Sequence, residues 1–107
     1  MNSEYSIIIS TLPQKDMAKQ IAKVLVEQRL AACVQMFPIE SVYLWKDEIC
    51  EDGEILLFIK SRTDLFDKIV STIREVHPYD VPEIVQTPIS NGLPEYLKWI
   101  GELTKNT

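Results

Sequence analysis

The order of apolar patterns along the chain predicts an α+β protein of the split βαβ, or ferredoxin-like, kind (βαββαβ) with one further C-terminal helix. Three observations carry this expectation. Residues 6–11 and 55–59 are short runs rich in Ile, Leu and other strand formers, too short for helices and bounded by polar residues. Two other segments, 13–28 and 63–77, repeat apolar residues at helical spacing. Finally, two extended runs flank Lys46-Asp47 closely enough to be joined there by a hairpin tip.

The elements follow in order. Ser6-Ile7-Ile8-Ile9-Ser10-Thr11 reads as a buried strand. Pro13 fits the first turn of a helix, where its missing N–H costs nothing. Met17, Ile21, Val24, Leu25 and Gln28 then recur at helical spacing, with Lys15, Lys19 and Lys23 toward water and an end near Gln28 and Arg29. Residues 31–45 form a long extended stretch interrupted by Pro38, in which Ser41, Tyr43 and Trp45 share one face and Val42 and Leu44 the other. The chain returns through Ile49 and Cys50 to 55–59. There Leu56 and Phe58 point one way, and Ile55, Leu57 and Ile59 the other. A strand apolar on both faces is covered on both, by its own subunit or by a neighbour.

Thr63 is placed to cap a second helix with the apolar stripe Leu65, Ile69, Ile73 and Val76. That helix ends at His77, because Pro78 disfavours helical geometry in the residue before it. Residues 83–88, with Ile84 and Val85, read as a fourth strand, Asn91-Gly92 as a turn, and Pro94 as the start of a last amphipathic helix carrying Tyr96, Trp99, Ile100 and Leu103. Both principal helices then lie on one face of the sheet. The other face is expected to be covered by another copy of the chain.

Size and charge narrow the function classes. The 107 residues suit one domain spanning 1–107. With 11 Lys+Arg against 16 Asp+Glu, the net charge of −5 argues against nucleic acid as a partner. No apolar run approaches the ~20 residues of a membrane span, and Met1-Asn2-Ser3-Glu4 lacks the positive flank and apolar region of a secretory signal. The expectation is a cytoplasmic protein that does not enter membranes, with Cys33 and Cys50 as reduced thiols.

Few residues suit chemistry. His77 is the single histidine, so one subunit cannot build a multi-histidine metal site. The three glycines, Gly53, Gly92 and Gly101, make no phosphate-cradling loop, and no hydrolase, kinase or dinucleotide motif occurs. The segment His77-Pro78-Tyr79-Asp80-Val81-Pro82-Glu83 is stiffened by two prolines and reads either as a rigid connection or as a ligand or ion site. Tyr43 and Trp45 are core or interface aromatics, or one wall of a pocket beside Lys60 or Arg62 that takes a small anion. Cys33 suits burial as a small hydrophobe and Cys50 is nearer the hairpin. A thiolate site for Cu(I) or Zn(II) needs a further ligand brought close by folding or by another subunit. Glu48, Glu51, Asp52 and Glu54 read as a solvated charged edge. His77 as a general base with Asp80 or Glu83 lacks a nucleophile and a substrate, so no enzymatic role is expected.

At these residues the sequence resembles the CutA divalent-cation-tolerance family. The matching pieces are Leu30-Ala31-Ala32-Cys33-Val34, Tyr43-Leu44-Trp45 with Ile49 and Glu51, Glu54 through Lys60-Ser61, His77-Pro78-Tyr79-Asp80-Val81-Pro82-Glu83-Ile84, and Tyr96-Leu97 with Trp99. The resemblance implies a compact homotrimer of P-II-like arrangement, hairpin strands pairing across subunits, and tolerance of divalent cations, notably copper, with no established reaction. Some bacterial members carry a cysteine at the end of the first strand and paired histidines before the Pro-Tyr. This chain has Ser10 and Val76 at those places. The metal candidates left are His77 with Cys33 or Cys50, or three copies of one ligand around a threefold axis. The alternative implied by the P-II-like likeness is a small-molecule effector site in clefts between subunits, lined by Tyr43, Trp45, Lys60, His77, Tyr79 and Glu83.

Overall fold

The computed structural model describes residues 3–104, so Met1, Asn2 and residues 105–107 of the expected domain lie outside it. Its elements are β1 (Tyr5–Leu12), α1 (Lys15–Glu27), β2 (Cys33–Trp45), β3 (Glu48–Arg62), a 3₁₀ turn (Thr63–Leu65) leading into α2 (Phe66–Val76), β4 (Ile84–Pro88) and α3 (Pro94–Leu103). The four strands pair antiparallel in the order β2-β3-β1-β4, which is the ferredoxin-like order.

Register decides which side chains meet the helices. Ile8 stands opposite Ile59, and Ser10 lies between Leu57 and Ile84. Because side chains alternate along a strand, Ile8, Leu12, Leu57 and Ile59 fall on one face. There they pack with Ala18, Ile21 and Leu25 of α1 and with Leu65, Ile69 and Ile73 at and within α2. Each fully buried Leu or Ile contributes about 1.5–3 kcal/mol of apolar transfer. Val76 departs from the expected stripe: it closes the helix beyond the reach of the core and is 51% exposed.

The second face is not bare, contrary to expectation. α3 crosses its Tyr5 end. Lys60 Nζ sits 5.5 Å over the Tyr96 ring, Arg62 Nη1 donates to the Thr104 carbonyl at 3.1 Å, and Ile100 is fully buried. The extra helix thus supplies part of the cover that was assigned to a second copy. Farther along, Phe37 meets Phe58 edge to face at 5.5 Å, while Phe37 and Val85 remain exposed.

Three local expectations change. Pro13 lies outside the first helix, whose N-cap is the extended Gln14. Thr63 is not a helix cap: its Oγ1 donates to the Ser3 carbonyl at 2.8 Å and accepts from Ser6 Oγ at 2.6 Å, tying the end of β3 to β1. Pro38 does not interrupt β2, because β2 is an edge strand with one row of N–H groups that needs no partner.

The hairpin extends beyond the rest of the sheet. β1 stops at Leu12, opposite Ile55, whereas β2 and β3 stay paired as far as Trp45 and Glu48. Lys46 and Asp47 both take positive φ (49° and 65°), the left-handed pair that matches strand twist in a two-residue turn. Residues 39–54 therefore form a projecting two-stranded arm.

Candidate functional site

The arm's root is met by the segment that joins α2 to β4. His77 caps α2 in extended geometry (φ −73°, ψ 133°), as Pro78 requires. The residue is only 9% exposed, and its ring bonds at both nitrogens. Nε2 lies 2.7 Å from the Thr11 carbonyl, and the Tyr79 backbone N–H donates to Nδ1 at 3.1 Å. A carbonyl only accepts and an N–H only donates, so the ring is neutral with its proton on Nε2. Tyr79 follows the imidazole at a 5.0 Å ring separation, tilted by 53°.

Tyr79 joins a charged neighbourhood at this root. Burial, then the nearby Glu54 and Asp52 carboxylates, push its phenol above the ordinary tyrosine range. Tyr43 donates its hydroxyl to Asp52, and that hydrogen bond, with the Asp52 charge, holds its phenol up at about 12. Negative charge disfavours the phenolate in both cases. Tyr43, Asp52, Glu54 and Tyr79 are therefore electrostatic neighbours. Sequence reasoning singled out the two tyrosines but took Asp52 and Glu54 for a solvated edge. The available signal was register: Tyr43 stands opposite Cys50, and Asp52 is the next residue of β3 on the same face.

The other expected cleft residues lie elsewhere. Trp45 is at the arm's tip, with Lys46 Nζ 5.7 Å over its ring. Lys60 is at the far end of β3, over Tyr96, which stacks on Trp99 at 5.5 Å. At ~3.3 Å per strand residue, Trp45 and Lys60 are about 40 Å apart. Glu83 is exposed just before β4. Within one chain the six residues line no common cleft.

The metal candidates are dispersed in the same way. Cys33 stands opposite Lys60 and Cys50 opposite Tyr43, which puts the two thiols about 33 Å apart along the hairpin. Among the described residues, no group of three or more His, Cys, Asp or Glu is arranged to hold a metal ion. Ser10 and Val76 add no copper ligand beside His77. Ser10 Oγ is buried on the helix-covered face with no hydrogen-bond partner among the described residues, and a hydroxyl is a poor soft ligand. Val76 offers no donor atom.

At the opposite end of the sheet, a groove of about 620 Å³ runs between Tyr5, Arg62, Lys98, Gly101 and Glu102. Arg62 holds Asp64 there through two bonds, Nε to Oδ1 at 3.1 Å and Nη2 to Oδ2 at 2.6 Å. This hydrogen-bonded pairing, offset in part by burial, lowers the Asp64 pKa below the usual carboxylate range and raises that of the guanidinium.

Known proteins share this architecture. Residues 6–103 match the family described as CutA1 divalent ion tolerance protein. A divalent-cation tolerance protein CutA of Thermus thermophilus is 46% identical over 99 residues, covering 92% of this chain and 96% of that protein. Protein CutA of Mus musculus is 43% identical over 97 residues; these cover 90% of this chain and only 55% of the longer mouse protein. The crystal structure of CutA1 from Shewanella sp. SIB1 superposes with a TM-score of 0.95 at 39% identity, covering 99% of this chain and 100% of that one. The chain belongs to the CutA1 divalent ion tolerance family.

Proposed function

We propose that this chain is a non-enzymatic, cytoplasmic component of the response to divalent metal ions and works as a homotrimer of P-II-like arrangement. The observation that supports assembly is the arm. Ile49 (76% exposed), Val42 (69%) and Leu44 (68%) share one of its faces, and Tyr43 and Trp45 share the other. Apolar surface on both sides of a thin two-stranded arm is an interface waiting for a partner, and copies of the same arm bury it symmetrically. The metal side of the reading comes from the relatives, which are named for divalent-cation tolerance. With Cys33 and Cys50 distant in one chain, a copper or other divalent-cation site would gather equivalent residues from several copies around the axis.

Sedimentation of a Leu44→Asp, Ile49→Asp variant tests the assembly. The double variant should sediment as a single folded chain under conditions where the parent sediments as a trimer. An unchanged assembly would remove the arm from the interface.

The acidic and phenolic cluster at the arm's root favours a second reading, a sensor of small organic effectors. Tyr43, His77 and Tyr79 would come from one copy, with Trp45, Lys60 and Glu83 contributed across the boundary. A thermal-shift screen of nucleotides, amino acids and organic acids tests it, because a ligand of the native state raises Tm. Silence across the panel would count against it.

A further inference from the structure

We infer that His77 is a fastener and not a metal ligand in this chain: it locks Tyr79 against the root of the arm, and divalent-cation binding does not run through its ring. This inference is independent of the trimer. A metal needs an imidazole nitrogen with a free in-plane lone pair. With the proton on Nε2, that nitrogen is Nδ1, whose lone pair takes the Tyr79 N–H. The other tautomer is no better. It would aim the Nε2 lone pair at the lone pairs of the Thr11 carbonyl, and an Nδ1–H at the Tyr79 N–H. Two backbone groups thus dictate one protonation pattern. A metal can enter only by displacing one of them from the ring of a residue that is 9% exposed.

The surroundings offer no reason for that exchange. Val76 precedes the ring with an apolar side chain, and Ser10 places a hydroxyl, not a thiol, in the core. Soft, nitrogen- and sulfur-seeking ions gain little from a single imidazole without a second such donor. What His77 does supply is position. Pro78 removes a donor and fixes the local backbone, so the next N–H along the chain, that of Tyr79, turns back to the ring. The Tyr79 phenol then lies within electrostatic reach of Asp52 and Glu54.

The test uses the full chain, with Zn(II) alone as the probe. Long-range ¹H–¹⁵N spectra of the His77 ring should show a protonated Nε2 and an unprotonated Nδ1, unchanged through one equivalent of Zn(II), with the Tyr79 amide also unmoved. Zn(II)-dependent shifts of Nδ1 together with the Tyr79 amide would overturn the inference, as would a ring protonated at Nδ1. Because this reading is made on the unaltered chain, it does not depend on a variant that folds. His77→Gln adds a second measurement. Its calorimetric Zn(II) affinity should stay within twofold of the parent, including the case in which neither binds. A tenfold loss in a folded variant would contradict the inference.

Discussion

The Tyr79 backbone N–H donates to Nδ1 of His77 at 3.1 Å, across the single residue Pro78. The same imidazole reaches the Thr11 carbonyl with Nε2 at 2.7 Å, so one side chain joins the end of α2, the end of β1 and the start of the connection to β4. These three pieces frame the root of the arm. The bond therefore lies where the arm meets the body of the subunit.

Removing the ring should be felt mainly at Thr11. Thr11 is buried, so His77→Ala strands its carbonyl, while the more exposed Tyr79 N–H can turn to water. A buried group left unpaired costs about 1–3 kcal/mol. Urea unfolding at fixed protein concentration should show a loss in that range. A loss under about 0.5 kcal/mol, the scale of ordinary surface changes, would mean the ring holds nothing.

Ser10 gives the opposite expectation. Its Oγ is fully buried without a partner among the described residues, whereas Ser61, opposite Ser6 on the same sheet face, donates its Oγ to the Leu30 carbonyl at 2.5 Å. Ser10→Ala should be neutral or stabilising by up to about 1 kcal/mol, and Ser61→Ala destabilising by about 1–3 kcal/mol. Paired denaturation curves check the contrast. Equal losses at the two positions would point to a partner for Ser10.

The raised phenols predict a pH dependence on the alkaline side. Tyr43 is held at about 12 in the folded chain against 10.0 for the free group. A raised acid favours its protonated form, so this contribution to stability is fully present below about pH 10 and is lost as pH rises toward 12. Ultraviolet titration should show the Tyr43 phenolate appearing last, with that step absent in Tyr43→Phe and moved earlier in Asp52→Asn. Asp64 acts in the other direction. Its lowered pKa contributes stability above the ordinary carboxylate range that fades as pH falls through the folded value, and salt shrinks it because the pair is exposed.

Gly101 tests how tightly α3 sits on the sheet. A Cβ there would lie 3.0 Å from the Tyr5 hydroxyl oxygen and 3.4 Å from Tyr5 Cε1. Helix propensity alone favours Ala by about 1 kcal/mol. Gly101→Ala should therefore stabilise in a Tyr5→Phe background and gain less, or destabilise, with Tyr5 present. A double-mutant cycle on thermal or urea unfolding measures the difference. Zero coupling would mean the helix is free to shift away.

Strand and helix order was legible because each element carries its own period, and the two-sided apolar character of 55–59 pointed to a strand needing cover on both faces, of which α3 supplies part. The placement of α3 was not legible. Amphipathicity says that Ile100 is buried, but not against which face of the sheet. Thr63 and His77 share another reason. Their partners, Ser3 and Thr11, are 60 and 66 residues away in sequence, so a hydroxyl beside a helix reads as a cap and a lone histidine as a ligand. The Tyr43–Asp52 contact was hidden less deeply, since hairpin register alone brings the two together.

The most direct measurement is the mass of the unaltered chain in solution, by light scattering across a dilution series. The proposed homotrimer requires three times the 12.3 kDa of one chain, maintained on dilution to low micromolar concentration. A stable 12.3 kDa species throughout the series would contradict it.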